Sequence, residues 1–228
     1  DKAAARSRVA FSFRCRRVGE TSASELLGSI FTAHNGDYLT EVDETSVIII
    51  KAVETAESYD QLEQAATVAV DMLNTEAMLK VRASYGSIVT DLKNISRSYK
   101  EARMAMDVGK IFNAEKMVNS YNQLGIGRLI YQLPSNLCNV FIHEVFGEEV
   151  PDNLDAETLS TINCFFENNL NVSETSRQLF IHRNTLVYRI EKLQKQTGLD
   201  IRNFDDALRF KISLMVINYL KYLNAKEY

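Results

Sequence analysis

The sequence predicts an α+β protein whose first part interleaves strands with helices and whose last part is helical throughout. Three observations predict it. Before residue 124, short runs alternate apolar and polar residues, the two-residue period of a strand. Between those runs apolar residues recur three and four apart, the period of a helix packed on one side. Beyond Pro151 only the helical period remains. The 228 residues suit one large domain or two small ones. A content of 46% apolar and 25% charged residues describes an ordinary globular chain with material for a sizeable core.

Taken in order, residues 9–13 alternate as a strand should, with Val9, Phe11 and Phe13 on one side. Residues 24–33 carry Leu26, Leu27, Ile30 and Phe31 at helical spacing. Asn35-Gly36-Asp37 is turn chemistry. Residues 38–42 and 47–53 then read as a hairpin around Asp43, Glu44 and Thr45, its second strand apolar enough to be central. A long helix over 59–73 turns Leu62, Ala65, Ala66, Ala69 and Leu73 inward. A strand at 80–85 closes on Gly86, a helix follows over 92–109, and 118–121 is a last short strand. The order β-α-β-β-α-β is the ferredoxin-like split βαβ, with helices expected on one face of an antiparallel sheet. Residues 126–146 read as two amphipathic helices that bridge the parts, and Pro151 marks the boundary of the last unit. The domains are therefore placed at 1–124, a helical linker at 125–152, and 153–228.

The last unit is organised around residues 171–198, NVSETSRQLFIHRNTLVYRIEKLQKQTG. Asn171 is placed to cap a helix, with Glu174 three residues on to reach back, a capping box led by Asn. Val172, Ser176 and Leu179 face inward, the small Ser176 allowing a close crossing. Phe180-Ile181 makes a very short turn, and His182 stands where a second helix needs its N-cap. Leu186, Ile190 and Leu193 form one buried stripe. Arg183, Asn184, Thr185, Val187, Tyr188, Arg189 and Lys192 share the remaining arc. From Arg177 to Lys195 there are five Lys/Arg against the single acid Glu191, a local charge near +4 in a chain of net charge −4.

A solvated helix face would account for any one of these side chains. The caps, the short turn, the small crossing residue and the cationic arc together point instead to duplex DNA. The second helix of such a unit enters the major groove, its first residues reading bases while basic and hydroxyl groups hold phosphates. Arg183, Asn184 and Tyr188 are expected at base edges, with Val187 against a thymine methyl. His182, Thr185, Arg189, Lys192 and Arg177 are expected on phosphates.

IHRNTLVYRIEKLQKQTGLD at 181–200 closely resembles the C-terminal helix-turn-helix of the PucR/CdaR group of bacterial transcription regulators, itself similar to the Fis-type motif. The likeness runs on through Asp205-Asp206-Ala207-Leu208-Arg209 and covers about seventy residues. One departure from the general helix-turn-helix pattern is Phe180, where glycine is common. The first domain resembles, more weakly, the GGDEF-like domain of CdaR-type regulators. That resemblance rests on element order, on Ser98-Tyr99-Lys100-Glu101-Ala102, and on Leu124-Gly125 before an apolar helix. In active diguanylate cyclases the hairpin carries two glycines that admit nucleotide and an acid that helps bind metal. Here Val42-Asp43-Glu44-Thr45-Ser46 lacks both glycines, and the first strand, FSFRC, has no Asp. Two-metal chemistry on phosphates needs a preorganised acid cluster and open backbone, so no catalysis, metal or cofactor is expected. The implied fold is a degenerate GGDEF-like α+β domain followed by an all-α helix-turn-helix domain.

Other chemistries find no support. Cys15, Cys138 and Cys164 are few and scattered, with neither zinc spacing nor a disulfide framework. His34, His143 and His182 stand far apart. Gly125-Ile126-Gly127 lacks a third glycine, and no P-loop occurs. No apolar run of about twenty residues and no signal-peptide pattern is present, so a cytoplasmic protein without membrane contact is expected. The chain starts without Met and reads as part of a longer protein. Residues 204–223 are apolar on more than one face, which implies self-association as a homodimer. A small-molecule effector of unknown identity is a further expected partner. The alternative reading is a nucleotide-signalling or nucleotide-sensing module in the first domain.

Overall fold

Along β1 (Ser7–Arg16) the side chains alternate between two packed faces, which makes this strand the middle of the sheet. The computed structural model describes residues 7–16, 23–31, 36–43, 45–54, 58–76, 80–147 and 154–226. With β2 (Tyr38–Asp43), β3 (Ser46–Val53), β4 (Lys80–Tyr85) and β5 (Val118–Ser120), β1 forms a five-stranded sheet in the order β2-β3-β1-β4-β5. The first four strands pair antiparallel in the ferredoxin-like order, and β5 joins β4 in parallel. The Asn35 and Glu44 of the expected turns lie outside the described residues.

Val9, Phe11, Phe13 and Cys15 occupy one face of β1, where α1 (Ala23–Phe31) and α2 (Tyr59–Glu76) cover them. Leu27 and Phe31 come from α1; Leu62, Ala66, Ala69, Val70 and Leu73 come from α2. The Phe11 ring lies 5.3 Å from that of Tyr85 and the Phe13 ring 5.7 Å from that of Phe31, spacings at which aromatic pairs attract.

The opposite face carries small residues, and α3 (Ile95–Phe112) packs there. Ser98 Oγ accepts the Ala10 N–H at 3.0 Å and donates to the Ser87 carbonyl at 2.7 Å. Ser84 Oγ donates to the Ala102 carbonyl at 2.7 Å. The sheet is therefore covered on both faces, not on one as the element order suggested. The approach is close because nothing large intervenes. A Cβ on Gly86 would lie 2.0 Å from the Ser98 carbonyl oxygen, and one on Gly109 2.4 Å from the Asn119 side chain.

The chain divides into two compact units, residues 1–131 and 132–228. α4 (Ile126–Ile130) belongs to the first, and α5 (Ser135–Phe146) to the second, where it packs along α9 (Phe204–Lys226). Of the bridging segment expected at 125–152, residues 148–152, with the expected boundary at Pro151, lie outside the described residues. In the second unit α6 (Ala156–Glu167), α7 (Val172–Gln178), α8 (Arg183–Thr197) and α9 enclose a core of Ile162, Phe165, Leu186, Ile190, Leu193, Leu199, Ile201, Ala207 and Phe210. Phe146 of α5 meets Phe210 edge-on at 6.2 Å. Cover by α5 explains much of the second apolar face of α9, leaving Phe204 and Leu208 exposed. Among the described residues, no helix is long and apolar enough to cross a membrane.

Candidate nucleic-acid interface

Asn171 opens α7 in extended backbone, its side-chain oxygen accepting the N–H groups of Ser173 at 2.9 Å and Glu174 at 3.1 Å. These are two of the donors a helix start leaves without an internal partner. The expected return contact of the capping box is replaced by another: the Glu174 carboxylate pairs with Arg177 at 2.6 Å. An acid and a guanidinium three apart on one helix face are neighbours, and charge attraction outweighs a single backbone N–H.

The turn after α7 closes as a Schellman motif. Ile181 N–H bonds the Ser176 carbonyl at 3.0 Å, Phe180 N–H bonds the Arg177 carbonyl at 3.1 Å, and Phe180 takes the left-handed φ of +54°. Its side chain is 96% exposed. His182 then caps α8 as expected, Nδ1 accepting the Asn184 N–H at 3.2 Å. Thr175 and Ser176 are buried on α7, which packs against both α6 and α8, and Val172 and Leu179 pack at the edge of the core. Leu186, Ile190 and Leu193 are buried as a stripe, and Gly198 ends α8 at φ +75°.

That stripe fixes which side of α8 faces out. Arg183, Asn184, Thr185, Tyr188 and Lys192 are exposed, with Val187 half-buried beside them and His182 exposed at the start. Among the described residues neither Arg183 nor Lys192 is held in an ion pair. Asn184, Tyr188 and Lys192 follow one another at four-residue steps along a single face. Arg177 lies apart from this group, at the end of α7 and bound to Glu174.

Arg189 takes a different direction. Its Nη1 donates to Thr161 Oγ1 at 3.0 Å and its Nη2 pairs with the Glu157 carboxylate, both on α6. Sequence reading missed Glu157 and Thr161, which lie 32 and 28 residues upstream and form no motif with the helix they meet. Beside them Asp155 caps α6: the Thr158 backbone N–H, assisted by the charge of Lys192, holds its carboxyl below the usual range.

In the first unit, the described residues of the turn between β2 and β3 bind one another. Asp43 Oδ1 accepts both the hydroxyl and the N–H of Thr45, each at 2.8 Å, and those bonds hold its carboxyl below the ordinary value. Among the described residues no group of three or more His, Cys, Asp or Glu side chains could hold a metal ion.

Comparison with known proteins divides along the same lines. Residues 158–216 match the PucR C-terminal helix-turn-helix domain, and residues 4–108 match the GGDEF-like domain. The chain is 34% identical over 139 residues to the carbohydrate diacid regulator of Escherichia coli, covering 60% of this chain and 36% of that one. It is 22% identical over 169 residues to the purine catabolism regulatory protein of Bacillus subtilis, covering 71% of this chain and 32% of that one. With the DNA-binding transcriptional activator AdeR of Bacillus subtilis it shares 27% identity over 178 residues, covering 72% of this chain and 40% of that one. The chain thus spans about a third of the length of the curated relatives it matches.

Proposed function

Because this chain belongs to the PucR/CdaR family of regulators, joining a GGDEF-like domain to a PucR-type helix-turn-helix, we propose that its second unit binds duplex DNA sequence-specifically and regulates transcription. The observation that carries this reading is the outward face of α8. Arg183, Asn184 and Tyr188 stand exposed at its start while its apolar stripe is buried. Arg183 suits a guanine edge and Asn184 an adenine edge by bidentate geometry, and Val187 a thymine methyl. Tyr188 completes the base-reading group. Thr185, His182, Lys192 and Arg177 hold phosphates, Arg177 by exchanging Glu174 for the DNA backbone.

The first unit serves as a regulatory or dimerising module without catalysis of its own. The absence of both glycines from its hairpin and the engagement of Asp43 by Thr45 support this. Exposed Phe204 and Leu208 favour pairing of two copies, which would set two reading helices about one helical turn of DNA apart. A regulator of this kind works in the bacterial cytoplasm, under a small-molecule effector.

Selection of bound genomic fragments followed by anisotropy titration tests the proposal. An enriched sequence bound far more tightly than its scrambled copy supports it, and equal, salt-insensitive binding of both rejects it. In the same assay Arg183→Ala should lose about 1–3 kcal/mol on the selected sequence and much less on the scrambled one. GTP turnover with Mg²⁺ would refute the non-catalytic assignment of the first unit.

A further inference from the structure

We infer that Arg189 is a positioning residue: it fixes the pose of the reading helix α8 by clamping it to Glu157 and Thr161 of α6, and it does not serve as a ligand for phosphate. The inference rests on the DNA-binding reading for its functional consequence, but the clamp itself is a feature of the fold.

The polarity of the contact is fixed. Thr161 is buried, and its hydroxyl hydrogen is used on the Glu157 carbonyl at 2.9 Å. Its oxygen can then only accept, and Arg189 Nη1 is the donor it receives at 3.0 Å. The second arm of the guanidinium reaches the Glu157 carboxylate. One planar fork therefore meets two acceptors on neighbouring turns of α6, a task for which the compact ammonium of lysine has the wrong shape.

The two arms differ in weight. Glu157 is 72% exposed, and an ion pair so open to water contributes little by itself. Thr161 is 4% exposed, so the bond it accepts is the one that matters.

Placement gives the clamp its purpose. The apolar stripe Leu186, Ile190 and Leu193 packs α8 on the core, and the Arg189 bonds add a directional constraint to that packing. The Arg189 bonds are directional and stand within two turns of Arg183, Asn184 and Thr185, where misplacement would spoil bidentate contacts to base edges.

Three variants of the full chain test this: Thr161→Val, Glu157→Asp and Arg189→Lys. None changes the net charge, so none alters the long-range attraction to DNA. The clamp predicts that Thr161→Val and Arg189→Lys bind the selected sequence about tenfold more weakly, the equivalent of one lost charge-assisted bond. Glu157→Asp, which shortens the acid without removing it, should show a smaller loss in the same direction. The gap between selected and scrambled DNA should narrow, while the dependence of log K on log salt keeps its slope. A phosphate ligand predicts the reverse for the α6 variants, with affinity unchanged or tightened. Either result, or a slope reduced by about 0.9 in Arg189→Gln, overturns the inference.

Thermal melting separates its failure from failure of the DNA reading. If the wild-type chain binds no DNA selectively, the functional reading falls. The clamp then stands only if the Thr161→Val, Arg189→Lys double variant melts no lower than the worse single variant, and full additivity of the two losses overturns it.

Discussion

The N–H of Ile181 bonds the carbonyl of Ser176 at 3.0 Å, and that bond closes the turn between α7 and α8 around a phenylalanine held at φ +54°. Glycine commonly fills this position because a Cβ crowds the following carbonyl in left-handed backbone. The 96% exposure of Phe180 means that its ring recovers almost none of that cost by packing within the chain. Phe180→Gly should therefore stabilise the second unit by about 1 kcal/mol, the relief of left-handed strain less the added freedom of the unfolded chain. Urea unfolding would show it as a raised midpoint with unchanged slope. A lowered midpoint would mean that the ring packs in solution.

The cap of α7 yields a paired prediction. Asn171 alone accepts two backbone N–H groups, so Asn171→Ala should cost about 1 kcal/mol. Glu174→Ala should cost less than about 0.5 kcal/mol, since its carboxylate only pairs with an exposed Arg177. Equal losses in chemical denaturation would restore the reciprocal capping box.

What the sequence disclosed and what it hid separate by range. Asn171, His182 and the Leu186–Ile190–Leu193 stripe act within one helix or its first turn, and all are legible from spacing. The strands were legible because Val9, Phe11 and Phe13 alternate in size. The place of α3 was not: Ala10, Ser12 and Ser84 are small or polar, and such residues signal neither surface nor core until a second backbone is seen lying on them. Arg189 was hidden for a related reason. Its residue type fits a phosphate contact, and only folding brings the buried Thr161 beneath it. Glu174 illustrates local competition, where two plausible partners lie within reach and the charged one wins.

Acid should weaken the second unit through Asp200. The side chain of Arg202, bonded at 2.8 Å, holds this carboxyl below its ordinary value of 3.8, with the Arg202 backbone N–H assisting. A carboxyl whose folded value is depressed binds protons more readily in the unfolded chain. Its contribution is therefore complete above about pH 5, begins to fade near the unfolded value, and is lost as pH falls through the lower folded value. Melting temperature followed from pH 6 to pH 2 should drop more steeply for the wild-type chain than for Asp200→Asn. Parallel curves would show that the pair with Arg202 does not persist in solution.

Lys192 and Arg183 should fail in different ways when removed. Lys192 lies eight residues beyond Asn184 on the same exposed face, about 12 Å along the axis at the helical rise. If the start of α8 reaches base edges, a side chain that far along meets the groove wall, where the DNA presents phosphate. A lysine there acts as a point charge that displaces a counterion and carries no sequence information. Lys192→Ala should therefore weaken selected and scrambled DNA by the same factor and reduce the slope of log K against log salt by about 0.9. Arg183→Ala should instead lose affinity on the selected sequence above all, because its planar fork matches one base. Anisotropy titrations of both variants between 50 and 200 mM salt distinguish the two patterns. A sequence-dependent loss for Lys192→Ala would place α8 deeper in the groove, with its second turn also reading bases.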